Sequence, residues 1–323
     1  MELLNNIGIS FKGSYISQGS KIEKCKKADK LDIKNIEFVI TNNGKDLNFD
    51  KIDYYYQDNI IVHLPTISTN QSNFSSIKEI IPTLKKNNIN LVTIDASMLS
   101  FDTYEWSTLD EQKNYIRNIS KAIATLASNN IKIAIENTGL SNDGLLFGKT
   151  VSNLTDILTM SRKILVEDFE YSREESIEKI GISLNYNNLI TSNELNNLKN
   201  FISVFSKDIR CIKIDKYENT LIYFNELLNL IIENNIDVPI LLEFTNDIEE
   251  LNNDYSKIKY LIKNKIEGKA LNFNNYKSSP KTKDNEMVHF RVSEAGYTNI
   301  VIVLIILLTI FCAVLMLMVK FRR

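Results

Sequence analysis

Residues 131–138 read Ile-Lys-Ile-Ala-Ile-Glu-Asn-Thr. A short run rich in β-branched residues and bounded by polar ones is the pattern of a buried strand. The run stops on an acid, Glu136, and an unpaired buried charge is costly. The stretch is therefore expected to be a strand that delivers one carboxylate to its C-terminal end. The same unit recurs along the chain: a strand, a polar or acidic tip, then a helix. Upstream it appears as 7–11 (Ile-Gly-Ile-Ser-Phe), 36–40 (Ile-Glu-Phe-Val-Ile), 60–64 (Ile-Ile-Val-His-Leu) and 91–94 (Leu-Val-Thr-Ile), tipped by Asp95. Downstream it appears as 180–184, as 211–214 ending at Asp215, and as 238–242 ending at Glu243.

Helical spacing fills the gaps. Ile77, Ile80, Ile81 and Leu84 form one apolar face, with Pro82 as a kink. Thr108 and Glu111 form a capping box ahead of Ile116, Ile119, Ile123 and Leu126. Further apolar faces follow at Leu154–Ile164, Leu195–Phe205, Leu221–Ile231 and Ile258–Ile266, with a charged insertion at 167–178. Eight strands alternating with helices favour a parallel sheet, and eight is the number that closes a (β/α)8 TIM barrel. A doubly wound open sheet is the alternative, but no G-x-G-x-x-G follows the first strand.

The chain has 323 residues, a formal net charge of −2 and 44% hydrophobic residues, ample for a large core. That charge balance excludes a dedicated nucleic-acid binder, which would show a basic face. Cys25, Cys211 and Cys312 are odd in number and lack C-x-x-C spacing, which excludes a thiolate zinc site and a disulfide framework. A reducing compartment is expected. Residues 1–20 show no secretory signal. The domains expected are a barrel over 1–267, a polar linker over 268–299, a transmembrane helix over 300–319 and a basic tail over 320–323. The 300–319 run has no charged residue and is long enough for a hydrocarbon core of roughly 30 Å. A single-pass C-terminal anchor with the barrel cytoplasmic is therefore expected.

The candidates for chemistry are His63, Asp95, Glu136, Asn185, Asn188, Asp215 and Glu243, all at or just past strand ends. In a barrel those ends converge on one mouth. Glu136 and Glu243 together suit a divalent cation or an acid/base pair, with Asp215 and His63 in supporting catalytic roles and Asp95, Asn185 and Asn188 binding substrate. Lys213 invites a Schiff-base reading. It is expected to point to the helix layer, because Ile212 and Ile214 have the opposite parity.

These residues resemble the xylose isomerase-like barrels, the superfamily of sugar-phosphate isomerases and epimerases and of the endonuclease IV group. The resemblance covers roughly residues 7–266. It rests on Val62-His63-Leu64-Pro65, Ile135-Glu136-Asn137-Thr138, Gly181-Ile182-Ser183-Leu184-Asn185, Ile212-Lys213-Ile214-Asp215 and Leu242-Glu243-Phe244-Thr245. It implies one divalent metal ion (Mn, Mg or Zn) held by two strand-end glutamates, an Asp and a His. Glu136 and Glu243 match that scheme. The expected Asp-x-x-His is Asn185-Tyr186-Asn187-Asn188 here, and Ile212 replaces the His of His-x-x-Asp, with Asp215 retained. With two histidines in the chain, a three-zinc endonuclease site is excluded. Three readings follow: an isomerase or epimerase acting on a sugar or sugar phosphate; a degenerate barrel that binds a ligand or partner at the membrane; and a glycoside hydrolase using Glu136 and Glu243.

Overall fold

The computed structural model describes residues 3–11, 21–40, 56, 58–64, 71–89, 91–142, 144–215, 221–243 and 251–269. Its strands, in chain order, are β1 (Ile7–Phe11), β2 (Asn35–Val39), β3 (Asn59–Leu64), β4 (Leu91–Asp95), β5 (Lys132–Glu136), β6 (Leu140–Ser141), β7 (Gly144–Leu145), β8 (Ile180–Asn185), β9 (Ile209–Ile214) and β10 (Ile240–Glu243). All except β6 and β7 form one closed parallel barrel in the order β1-β2-β3-β4-β5-β8-β9-β10. The eight barrel strands are the eight expected from sequence. Closure is seen at β1, where Ile9 pairs with Ile36 of β2 on one side and Leu242 of β10 on the other. No barrel strand is left with an edge of unpaired backbone groups. The short antiparallel hairpin β6–β7 is an addition after β5 that the strand pattern did not mark.

The barrel buries two separate apolar sets. Outward residues such as Ile133, Ile135, Ile212 and Ile214 join the main core with the helix faces, including Ile116, Ile119, Ile123 and Leu126. Inside the barrel, Ile61, Ala134, Cys211 and Leu241 form a second small cluster with Leu91 against it. This inner layer fills the lumen, so the barrel is a packed core and not a pore. Strands approach closely where no side chain intervenes. A Cβ on Gly181 would lie 2.3 Å from the Asp208 carbonyl oxygen, and one on Gly8 would lie 2.4 Å from that of Asn35.

The local signals hold at the helices. Glu111 N–H donates to Thr108 Oγ1 at 3.3 Å, and Thr108 N–H donates back to Glu111 Oε2 at 2.8 Å, opening helix Leu109–Ala127. Pro82 lies inside helix Gln71–Lys86. The charged stretch expected to be an insertion is helical instead. Helix Val151–Phe169 runs into it, Glu170 ends that helix in a left-handed conformation, and a Ser172/Glu175 capping box starts helix Arg173–Lys179. Solvated charges are compatible with a helix whose ends are capped. Arg162 ties this region to the barrel, donating to the Ile180 carbonyl at 2.6 Å and to Asp208 Oδ1 at 2.5 Å.

Met1–Tyr276 forms one compact unit. The linker from residue 270, the 300–319 stretch and the basic tail lie outside the described residues. Among the described residues no helix is long and apolar enough to cross a membrane.

Candidate functional site

The strand register decides which side chains share the lumen. Parallel pairing sets Asp95, Glu136, Ser183 and Cys211 level in one row. Asn185, Lys213 and Leu241 form another. Side chains level across neighbouring strands point to the same face. Lys213 therefore enters the lumen beside Asn185, and the expectation that it faces the helices is wrong. The physical reason is the inverse of the parity argument: Ile212 and Ile214 fill the helix-facing layer, leaving only the lumen for the residue between them. A register shift at Ile182/Ser183 fixes which β9 residue comes level with Asn185. The inward position of this strand end is accordingly Lys213, not Ile212.

Lys213 is 1% exposed and sits at the centre of a buried polar cluster. Its Nζ is 2.5 Å from Glu136 Oε2 and 2.7 Å from Glu37 Oε1, and both of these acids are fully buried. It also lies 3.2 Å from Thr93 Oγ1 and 3.2 Å from His63 Nδ1. Burial alone would push the Lys213 ammonium toward neutrality, but Glu136, Glu37 and Glu243 outweigh it and hold the ammonium well above its ordinary value. Burial works against Glu37 in the same way, and Lys213 with His63 overcomes it, bringing the Glu37 carboxyl down to about 2. Glu37 is further held by Ser10 and by Thr93, which donates its hydroxyl proton to Glu37 Oε1 at 2.6 Å. That hydroxyl has one proton, so toward His63 Nδ1, 2.9 Å away, Thr93 is the acceptor.

Asn185 is the second hub. Its Nδ2 donates to Glu136 Oε1 at 2.7 Å and to Glu243 Oε1 at 3.2 Å. The two glutamates singled out from sequence thus converge at the barrel mouth. Asn185 Oδ1 accepts from Asn188 N–H at 3.1 Å and caps helix Tyr186–Thr191. This bond fixes the amide orientation, because the amino group must then face the carboxylates. Asn137 locks the same corner: its side chain accepts from Asn185 N–H at 2.6 Å and donates to the Asn185 carbonyl at 3.0 Å.

The other candidates divide. His63 is buried, with Nε2 3.6 Å from Asp95 Oδ2 and Nδ1 3.7 Å from Glu136 Oε2. Burial and the Lys213 ammonium lower its pKa, Asp95 and Glu136 raise it, and the balance is upward. Asn188 acts on the backbone, donating to the Asn137 carbonyl at 2.6 Å. Asp215 follows β9 and is half-buried. Sequence reading passed over Glu37, Thr93 and Ser10, and it assigned Lys213 to the helix layer. The signal for two of them was present: Ile36-Glu37-Phe38 and Ile212-Lys213-Ile214 each set one charge between two apolar residues of a strand.

His63, Asp95 and Glu136 each offer one ligand atom within 4.8 Å of the others, a spacing a metal ion can use. The fit of a divalent ion can be tested against the donors present. Between Glu136 and Glu243 stands the Asn185 amino group, which has no lone pair to give a metal. Glu136, common to both sets, already holds the Lys213 ammonium. A doubly charged ion 4 Å from that ammonium would be repelled by about 8 kcal/mol at an effective dielectric of about 20. These residues do not fit a divalent ion alongside a protonated Lys213.

No protein-family model matches the sequence, and no curated protein sequence matches it. Solved structures do match the fold. A 3-keto-D-glucoside 4-epimerase from E. coli superposes with a TM-score of 0.56 at 10% identity, over 79% of this chain and 98% of that one. A D-tagatose 3-epimerase-like protein gives 0.54 at 16% identity, over 81% and 99%. An L-ribulose 3-epimerase gives 0.53 at 12% identity, over 77% and 85%. The fold is therefore the closed eight-stranded barrel that the sequence resemblance implied, and it is shared with these sugar epimerase structures.

Proposed function

We propose that this barrel binds a small sugar or sugar phosphate at its C-terminal mouth and acts there as an isomerase- or epimerase-like protein. The observation that carries the reading is the bridging of Glu136 and Glu243 by one Asn185 nitrogen. Epimerisation beside a carbonyl needs one group to remove a proton and one to return it. Two carboxylates fixed at one point by a neutral donor supply such a pair. Glu136 is fully buried and Glu243 nearly so, while Asp95 is partly exposed. Asp95 is thus the acid that meets an incoming hydroxyl first, with His63 behind it. The residues present do not fit a divalent metal beside the Lys213 ammonium, so the proton transfer falls to the carboxylates themselves. The likeness to sugar epimerases favours this ligand class, although one barrel fold hosts many chemistries.

A second reading, binding without turnover, is favoured by the engagement of both Glu136 oxygens: Oε2 forms an ion pair with Lys213, and Oε1 accepts from Asn185. Glycoside hydrolysis by inversion suits the site poorly, because two carboxylate oxygens hydrogen-bonded to one nitrogen at 2.7 and 3.2 Å lie at most about 6 Å apart, short of the spacing of about 6.5–9.5 Å that admits the water. The test is a panel of ketoses, aldoses and their phosphates titrated into the full-length protein in detergent, with NMR detection of deuterium uptake from D2O. Binding with uptake that Glu243→Gln abolishes supports the enzyme. Binding without uptake selects the second reading, and failure of every sugar to bind overturns both.

We also propose that residues 300–319 hold the barrel at a membrane by a single C-terminal span, with the barrel on the cytoplasmic side. The length and lack of charge of that run support it. Carbonate-resistant membrane association that disappears on deletion of 300–323, with the barrel digested by protease only after lysis, is the expected result.

A further inference from the structure

We infer that the Lys213 side chain is the resident cation of this barrel, standing among the strand-end carboxylates where a divalent ion would otherwise stand, and that the mouth is organised without a metal. Four successive barrel strands, β5, β8, β9 and β10, each present one inward polar side chain near their C-terminal ends: Glu136, Asn185, Lys213 and Glu243. The two inner members both turn nitrogens toward the carboxylates, Asn185 in hydrogen bonds of 2.7 and 3.2 Å and Lys213 in an ion pair of 2.5 Å with Glu136. A metal needs lone pairs at such positions, and an ammonium and an amino group offer none.

The arrangement is held from behind, so it is not a chance rotamer. Turning the Asn185 amide over would give up its cap on Asn188 N–H and set its oxygen against two carboxylates. Lys213 cannot withdraw to the helix layer, where Ile212 and Ile214 already lie. Its other carboxylate, Glu37, is braced by Ser10 and Thr93. The second set of metal-ligand spacing, His63-Asp95-Glu136, shares its glutamate with the ammonium, which also stands 3.2 Å from the imidazole. A divalent ion there would have to displace the Lys213 charge. The inference deepens the sugar-binding reading, on which it rests only for its consequence: Lys213, a positioning residue that holds Glu136, would supply the positive charge beneath the ligand.

The experiment is metal analysis of full-length protein purified without chelator, followed by titration of MnCl2 and ZnCl2 and by thermal melts with and without EDTA. The expected result is no bound equivalent of metal and a Tm that neither EDTA nor Mn2+ moves. The double variant Asn185→Asp, Lys213→His restores an acid and an imidazole. It should bind Mn2+ or Zn2+ at least about tenfold more tightly than the wild type, with a Tm that metal raises. One equivalent of metal in the wild-type protein, with a Tm that falls on chelation, overturns the inference even if the variant does not fold. A sugar panel that fails while metal is absent sinks the ligand reading and leaves Lys213 standing, so the two failures are separable.

Discussion

Lys213→Met removes the ammonium while keeping most of the apolar stem. Lys213 is 1% exposed and both of its carboxylate partners are fully buried. Removing one partner of a buried ion pair costs about 3–5 kcal/mol, because the other charge stays buried and uncompensated. One ammonium serves two acids here, so the upper end, about 5 kcal/mol, is expected against a domain stability of about 5–15 kcal/mol. Glu37 gives a second route to the size. Its carboxyl moves from the usual 4.5 to about 2, which corresponds to about 3 kcal/mol from that one group. The folded value lies below the unfolded one. This stability is therefore complete above about pH 4.5 and is lost as pH falls toward 2. Urea denaturation followed by circular dichroism at pH 7 and at several pH values between about 4.5 and 2.5 should show the loss in Lys213→Met. It should also show that the variant has a flatter acid limb. Adding Glu37→Gln to Lys213→Met should recover part of the loss, giving a coupling above about 1 kcal/mol. A single-variant loss under about 1 kcal/mol, the level of a surface pair, or strict additivity in the double variant would refute the reasoning.

Asn185→Asp places a third carboxylate against Glu136 and Glu243 while keeping a helix cap. Like charges raise the folded-state pKa of such a group, so the cost should be largest at alkaline pH, about 2–3 kcal/mol, and should shrink as pH falls below about 5, read from Tm against pH. Gly181→Ala forces a Cβ to within 2.3 Å of the Asp208 carbonyl. It should cost at least about 2–3 kcal/mol through backbone displacement, whereas Gly144→Ala meets no atom within 4 Å and is strained only by its positive φ. Thr108→Ala deletes one half of the capping box on helix Leu109–Ala127 and should lower stability by about 1 kcal/mol in the same melts.

The strands were legible because each barrel strand is covered by helices and must carry an apolar residue at every second position, a demand that leaves a local mark. The convergence of Glu136 and Glu243 was legible for the same reason: each ends such a run, and a barrel brings strand ends together. The hairpin β6–β7 left no mark, since four residues in two short strands bury little and need no pattern. The company kept by Glu136 was hidden for a different reason. Which residue of β9 comes level with Asn185 depends on a register shift between β8 and β9, and nothing within either strand encodes it.

One part of the site could nonetheless have been reasoned out. Ile36-Glu37-Phe38 and Ile212-Lys213-Ile214 are the same device with opposite charge. In a strand covered by helices, the two apolar residues claim the outer face, and the charge between them has only the lumen to enter. A lone charge there is untenable, so a lumen that receives a glutamate from β2 requires a cation from another strand. Among the residues of the eight strands, Lys213 is the lysine or arginine flanked by apolar neighbours close to a C-terminal end. Glu37 and Lys213 are 176 positions apart in the chain and are joined at 2.7 Å by that requirement alone. The same logic turns Glu136 from a metal ligand in waiting into the second acid of an internal salt bridge. Any chemistry at this mouth has to work around an ammonium that the fold itself demands.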